Sequence, residues 1–249
     1  MESLCGFTPV QTEANFPYCG LGRTDAMLIG ADLEFNGVLT TLALPDNNIF
    51  SQGATAIAEA LRGNGVLTSL NVGGNYIGRI GATAIAEALR GNEVLTKLVL
   101  QNNNIGDEGA AALASALRVN AVLKNLYISY NEIGDEGAAA IAEALRGNGV
   151  LTNLNLYWNE IGDEGAAALA SALRVNGVLK KLDLGENEIG DEGAKAIGGA
   201  LAVNGDGVLT SLDLGRNQIG DEGAKAIGKM LAVNGVLTNL NLTDNDIHN

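Results

Sequence analysis

Three of the five tyrosines and the single tryptophan of this chain, Tyr127, Tyr130, Tyr157 and Trp158, fall between positions 127 and 158. Exposed tyrosine and tryptophan are common anchors of protein interfaces, each often worth about 2 kcal/mol or more. The other chemistry-bearing residues are carboxylates. Asp-Glu pairs recur at Asp107-Glu108, Asp135-Glu136, Asp163-Glu164, Asp191-Glu192 and Asp221-Glu222, and Glu132, Glu160 and Glu188 stand shortly before three of them. Oxygen-rich rows of this kind could hold calcium. Capping at helix starts explains the same placement, and no metal site is assigned. Catalytic constellations are missing. The sole histidine, His248, lies next to the last residue, so a Ser-His-Asp or Cys-His arrangement has no fixed base. Zinc ligands are too few, and no Gly-x-x-x-x-Gly-Lys-Ser/Thr phosphate loop occurs. Neither enzyme activity nor a cofactor is expected.

The chain has 249 residues with 15 basic and 29 acidic side chains, a net charge of −14. Nucleic acids and anionic membranes are held by clustered Lys and Arg, so these partners are not expected, and a basic protein or peptide fits better. That inference is discounted for the Asp-Glu pairs, whose placement has a local structural explanation. The N-terminus has neither a basic start nor an apolar run of signal length, and no window approaches a membrane span, which predicts a cytoplasmic protein. Cys5 and Cys19 are too few for a disulfide framework, and a single bridge between them stays open.

The elements that position these residues follow from repetition. The phrase Leu-x-x-Leu-x-Leu-x-x-Asn-x-Ile, with Val72 and Ile128 in its third apolar place, begins at Leu39, Leu67, Leu95, Leu123, Leu151, Leu179, Leu209 and Leu237. Successive starts are 28 residues apart except for one step of 30, where Asp206-Gly207 is inserted. Such a period means stacked supersecondary units sharing one core. In the copy from Leu123, Leu126 and Ile128 point into the core from a short strand while Asn125 and Tyr127 point out. Asn131 ends the strand, and with Asn47, Asn75, Asn103, Asn159, Asn187, Asn217 and Asn245 it predicts a buried ladder bonded to backbone. A helix follows, with Asp135 as its expected N-cap and Glu136 in the first turn. Ala138, Ile141, Ala142 and Leu145 form its buried stripe, and Asn148-Gly149 its expected stop through left-handed backbone. Gly198, Gly199 and Gly228 soften later helices by about 1 kcal/mol apiece. Helices are wider than strands, so the stack curves with its parallel strands inside.

This arrangement resembles the leucine-rich repeat family, and the Asn-x-Ile-Gly-Asp-Glu-Gly-Ala turn into an Ala-rich helix looks like the ribonuclease-inhibitor type. The resemblance covers Leu39 to Ile247. It implies an α/β fold, a right-handed solenoid or horseshoe with a parallel β-sheet on the concave face and α-helices on the convex face. Residues 1–38 are expected to form an N-terminal cap with a degenerate repeat, in which Ala14, Phe16, Cys19 and Leu21 match Leu42, Leu44, Asn47 and Ile49. Residues 39–249 hold eight repeats, the last lacking its helix. That leaves Leu237, Leu240 and Leu242 near solvent or against a partner.

Setting the repeats in register places Tyr127, Asn155 and Asp183 in one outward row, Ser129, Tyr157 and Gly185 in another, and Tyr130, Trp158 and Glu186 in a third. Acidic residues follow toward the C-terminus, notably Asp183, Glu186, Asp213 and Asp244, with Arg216 among them. The expected function is a non-catalytic protein–protein interaction module. It would bind a protein or peptide on the concave face through Tyr127, Tyr130, Tyr157, Trp158, Asp183, Glu186, Asp213 and Arg216. Resemblance adds variants of that class: inhibitors of basic nucleases, the sensor arm of NOD-like receptors and the activating protein of the Ran GTPase. Two alternatives compete. The chain could be a self-assembling structural repeat protein that uses its uncapped C-terminal end, being a monomer or a weak homodimer through that end, or the acidic turns could bind divalent cations.

Overall fold

The computed structural model describes residue 8, residues 10–203 and residues 207–248. Among the described residues nine short strands alternate with eight helices: β1 Glu13–Asn15, α1 Arg23–Phe35, β2 Thr41–Ala43, α2 Phe50–Gly63, β3 Ser69–Asn71, α3 Gly78–Leu89, β4 Lys97–Val99, α4 Gly106–Leu117, β5 Asn125–Tyr127, α5 Asp135–Leu145, β6 Asn153–Asn155, α6 Asp163–Leu173, β7 Lys181–Asp183, α7 Asp191–Val203, β8 Ser211–Asp213, α8 Asp221–Leu231 and β9 Asn239–Asn241. The strands form one open parallel sheet in chain order, and each helix packs only on its sequence neighbours. Because packed helices stand 8–10 Å apart and paired strands about 4.8 Å, the stack bends with the sheet on its concave side. Register is strict: Leu98, Leu126, Leu154 and Leu182 pair with one another along the sheet. Strand β1 and helix α1 continue both layers, with Ala14 opposite Leu42, so residues 13–35 make a rung like the others. Cys5 and Phe7 lie outside the described residues. Cys19 is an exposed free thiol at the ladder position, and Phe35 and Phe50 are exposed. Among the described residues no helix is long and apolar enough to cross a membrane.

The core alternates leucines from the strands with Ile, Leu and Ala from the helices. Leu126, Ile128, Ala138, Ile141, Ala142 and Leu145 are all buried. Three polar ladders tie the rungs together. In the first, the Asn131 amide donates to Leu100 O (3.0 Å) and Ser129 O (2.9 Å), while its Oδ1 accepts from Asn103 N (3.0 Å) and Ile105 N (3.3 Å). It therefore joins its own turn to the preceding rung. Asn245, in the last rung, is only half-buried. The second ladder corrects the expectation for Asn148. Helix α5 ends at Leu145 with Arg146 as its right-handed C-cap. Asn148 is buried; its amide donates to Leu117 O (2.7 Å) and its oxygen accepts from Val150 N and Leu151 N. Asn148 therefore lies beyond the helix end and staples the turn after α5 to the end of α4.

The third ladder corrects the capping assignment. Asp135 is the first residue of α5, with extended Gly134 at the cap position. Its Oδ1 accepts instead from Gly162 N and Gly165 N of the next rung, both at 2.8 Å, and Asp107 does the same for Gly134 and Gly137. Each aspartate thus caps the following helix. The consequence is visible where aspartate is missing. Arg23, Ser51 and Arg79 occupy this position below α2, α3 and α4, and there the turn residues Phe50, Gly78 and Gly106 flip to positive φ. Their N–H groups go to Asn75 O, Asn103 O and Asn131 O. Above Asp107 the corresponding glycines Gly134, Gly162 and Gly220 are extended, with φ near −94° (Gly134), −95° (Gly162) and −92° (Gly220).

Two helix glycines separate propensity from packing. A Cβ on Gly165 would lie 2.6 Å from Asp135 Oδ1 and 2.9 Å from Ile161 Cγ2, whereas one on Gly199 meets nothing within 4 Å. Gly165→Ala is expected to destabilise the fold by about 1–3 kcal/mol through overpacking and loss of the cap. Gly199→Ala is expected to stabilise it by about 1 kcal/mol. Urea unfolding of the two variants checks the opposite signs. Gly198 belongs with the first kind, since a Cβ there would lie 3.1 Å from Ala226 O, so it serves close helix packing and is not simply a soft spot.

Candidate interaction surface

Tyr130, Tyr157 and Trp158 come together. Tyr130 stacks on Trp158 with ring centroids 5.0 Å apart and planes 18° apart, and meets Tyr157 edge-on at 5.6 Å. Tyr130 is 43% and Trp158 49% exposed, while Tyr157 is half-buried. Their place is more specific than an outward position on the sheet. Strands β5 and β6 end at Tyr127 and Asn155, so Tyr130 and Trp158 sit three residues beyond, on the rim where strands turn toward helices. The backbone there is left-handed in every rung, at Tyr18, Asp46, Gly74, Asn102, Tyr130, Trp158, Glu186, Arg216 and Asp244. Glycine and asparagine adopt this conformation readily, and bulky side chains only at a cost. Two large aromatics at such a position are not explained by packing, because they cover no core.

Farther along the same rim the row becomes ionic. Tyr157 Oη donates to Glu186 Oε1 at 3.2 Å, and Arg216 bonds Glu186 at 2.5 Å and Asp244 at 3.2 Å. The Glu186 bond, then the Asp244 bond, raise the Arg216 pKa above its ordinary value. Burial, then the Glu186 charge, raise that of Tyr157. The ionic row therefore holds the Tyr157 ring from one side while Tyr130 and Trp158 hold it from the other.

Tyr127 belongs to a second group, on the sheet face itself. It makes no ring contact with the other three among the described residues; Lys97 Nζ lies 5.6 Å from its centroid. Tyr127 lines a shallow groove of about 220 Å³ with Asn153, Asn155, Lys181, Asp183, Ser211 and Asp213. Asp183 and Asp213 are register partners on β7 and β8. Asn155 donates to Asp183 Oδ2 at 2.8 Å from one flank, and Asn241 donates to Asp213 Oδ1 at 3.0 Å from the other. Sequence reading named the carboxylates but missed these asparagines, which the 28-residue register had placed beside them. Among the described residues no group of three or more His, Cys, Asp or Glu could hold a metal ion. The aspartates that head helices α5 to α7 are engaged by backbone N–H groups of the next rung.

Burial raises the Asp183 pKa above its ordinary 3.8; the Asp213 charge adds to the rise, and hydrogen bonds from Gly185 and Asn155 oppose it. Such an acid binds its proton more tightly when folded. Its contribution to stability therefore declines as pH rises from 3.8 through the folded value, and its ionisation is unfavourable at neutral pH. Asn71, Asn155 and Asn241 make the same turn bond at this position in other rungs, so asparagine is a conservative replacement. Asp183→Asn is expected to raise Tm at about pH 7 and to lose that advantage as pH falls toward about 4. Thermal melts of both proteins across that range check the sign.

Comparison with known proteins agrees with this architecture. Residues 63–86, 91–114, 119–142, 147–170, 175–198 and 208–228 match the family model described as Leucine Rich repeat. No curated protein matches the sequence. Among solved structures, the leiomodin-1 actin-binding site 2 is 26% identical with a TM-score of 0.52, covering 59% of this chain and 86% of that one. An internalin of Listeria monocytogenes is 24% identical with a TM-score of 0.55, over 88% of this chain, which spans about half (52%) of the internalin. The tropomodulin C-terminal domain of Caenorhabditis elegans is 17% identical, with a TM-score of 0.50, over 61% of this chain and 92% of that one. The last two likenesses concern the fold alone. With more than half of its length matched repeat by repeat, and its strands, helices and asparagine ladder in the corresponding order, this chain belongs to the leucine-rich repeat family.

Proposed function

We propose that this protein is a non-catalytic interaction module whose ligand is a protein segment gripped along the concave sheet and its rim. One observation carries the reading: Tyr130 and Trp158, both at left-handed backbone positions unfavourable for large side chains, stack on each other with their faces partly open to solvent, and the half-buried Tyr157 meets Tyr130 edge-on. Stacked aromatics that bury no core are suited to be covered by a partner, and their rigidity lowers the entropy lost on binding. Leiomodin-1, similar over part of the chain, carries the words actin-binding site in its description, which supports protein as the class of ligand without naming it.

Trp158 is the only tryptophan, so its fluorescence reports on the surface directly. The test is selection of displayed linear peptides on the full chain, followed by titration of the chosen peptides. Binding is expected to shift Trp158 emission and protect it from acrylamide, and the Tyr130→Ala/Trp158→Ala double variant is expected not to retain the peptides. Selected peptides that bind the double variant as well as the parent, or that leave the indole equally quenchable, would overturn the reading.

A further inference from the structure

The concave sheet next to the aromatic rim is an unpartnered face whose charges specify what can lie on it. Asp183 and Asp213 stand on adjacent strands in register, with backbones about 4.8 Å apart. Like charges placed directly opposite in a sheet oppose its pairing. Neither carboxylate has an ion-pair partner among the described residues, and Lys181, though it lines the same groove, is not within bonding distance of them. The asparagines bonded to them approach from the outer flanks, Asn155 on Asp183 and Asn241 on Asp213. Backbone N–H groups of Gly185 and Gly215 also donate to Asp183 and Asp213, so each carboxylate is held in place by hydrogen bonds without being charge-paired.

Glycines in adjacent rungs, Gly185 and Gly215, let side chains pack directly on the backbone beside the carboxylates. A Cβ on Gly185 would lie 3.1 Å from Tyr157 Cδ2 and 3.2 Å from Asp213 Oδ1, and one on Gly215 would lie 3.2 Å from Asp213 Oδ1. The Tyr157 ring and the Asp213 carboxylate thus approach each other over Gly185, where no room is left for a side chain of the chain's own. Arg216 bonds both Glu186 and Asp244 and offsets one of their two charges, whereas neither Asp183 nor Asp213 has a bonded cation among the described residues. A planar cation suits a carboxylate pair beside an aromatic ring, because guanidinium donates in a fork to carboxylates and stacks on rings.

We propose that the partner segment presents an arginine to the Asp183–Asp213 pair, with its guanidinium against the Tyr157 ring, next to an apolar residue seated on Tyr130 and Trp158. This inference rests on the interaction-module reading and adds the chemistry of the ligand. Charge complementarity selects the occupant: the groove holds two carboxylates against one cation of its own, Lys181, so a cationic residue is favoured at the carboxylate pair.

The same displayed-peptide selection tests it, with the consensus of the retained clones as the first readout. Peptides that depend on Tyr130 and Trp158 are expected to carry an arginine at a fixed offset from an apolar residue. Replacing that arginine with citrulline, which keeps the shape and removes the charge, is expected to weaken binding about tenfold or more, as are Asp213→Asn and Asp183→Asn on the protein. Citrulline peptides should bind the parent and the Asp213→Asn variant alike. Aromatic-dependent peptides without arginine, or citrulline peptides as tight as their parents, would overturn the arginine assignment and leave the module reading standing. Peptides indifferent to Trp158 would remove the module reading first. Circular dichroism of each variant separates a lost contact from a lost fold.

Discussion

Asn131→Ala is expected to lower unfolding free energy by about 3 kcal/mol or more, far beyond what deletion of a surface amide would do. The side chain is fully buried. Its removal leaves Asn103 N and Ile105 N without the acceptor they share and takes one donor each from the carbonyls of Leu100 and Ser129, which keep Asn103 Nδ2 and Asn102 N. No water reaches these groups in a core of leucine and isoleucine, and each unpaired one costs about 1–3 kcal/mol. Asn131→Asp keeps an acceptor but sets a carboxylate against two carbonyl oxygens, and it is expected to be at least as damaging. Asn245→Ala, at the half-buried last rung, should cost much less. Urea titration also reads the second consequence. Because every rung touches only its neighbours, a defect in the middle uncouples the two halves, so the Asn131 variant should show a reduced m-value or a shoulder. A single transition within about 1 kcal/mol of the parent would contradict the ladder as a source of stability.

Trp158→Gly is expected to weaken binding of a rim-dependent peptide about 30-fold or more while leaving stability within about 1 kcal/mol of the parent. The separation comes from opposing local terms. Glycine releases the left-handed strain at φ 52°, worth about 1–2 kcal/mol. Against this stand the lost stack on Tyr130, about 0.5–1.5 kcal/mol, and the greater freedom of glycine in the unfolded chain, about 0.5–1 kcal/mol. Gly74 already fills the equivalent place in the rung of β3, at φ 65°. Chemical denaturation and peptide titration on one preparation check the two numbers together. A large loss of stability would mean that the indole serves the fold, and the case for a partner would weaken with it.

The aromatic concentration was legible from residue order, because register follows once the repeat length is known. Tyr130 and Trp158 had to share a row, and so did Asp183 and Asp213. The rim location was not legible. The phrase marks Leu126 and Ile128 as inward-facing, but the strand stops at Tyr127, and only the left-handed turn carries Tyr130 off the sheet and onto its edge. The capping error has a related cause. Asp135 satisfies every local criterion for capping its own helix, and sequence distance hides that Gly162 and Gly165 lie nearer to its carboxylate.

What residue order determined by itself was everything that depends on a side chain's own period: the stacked parallel strands, the alternation of buried leucine with outward polar residues, and the asparagine that closes each turn. Burial of apolar area sets these phases, and a slip of one residue would turn each strand's core face to water. Tertiary structure alone decided which rung each polar group serves. A hydrogen bond is satisfied by the nearest donor in space, and in a stack of this kind that donor belongs as often to the next turn of the chain as to its own.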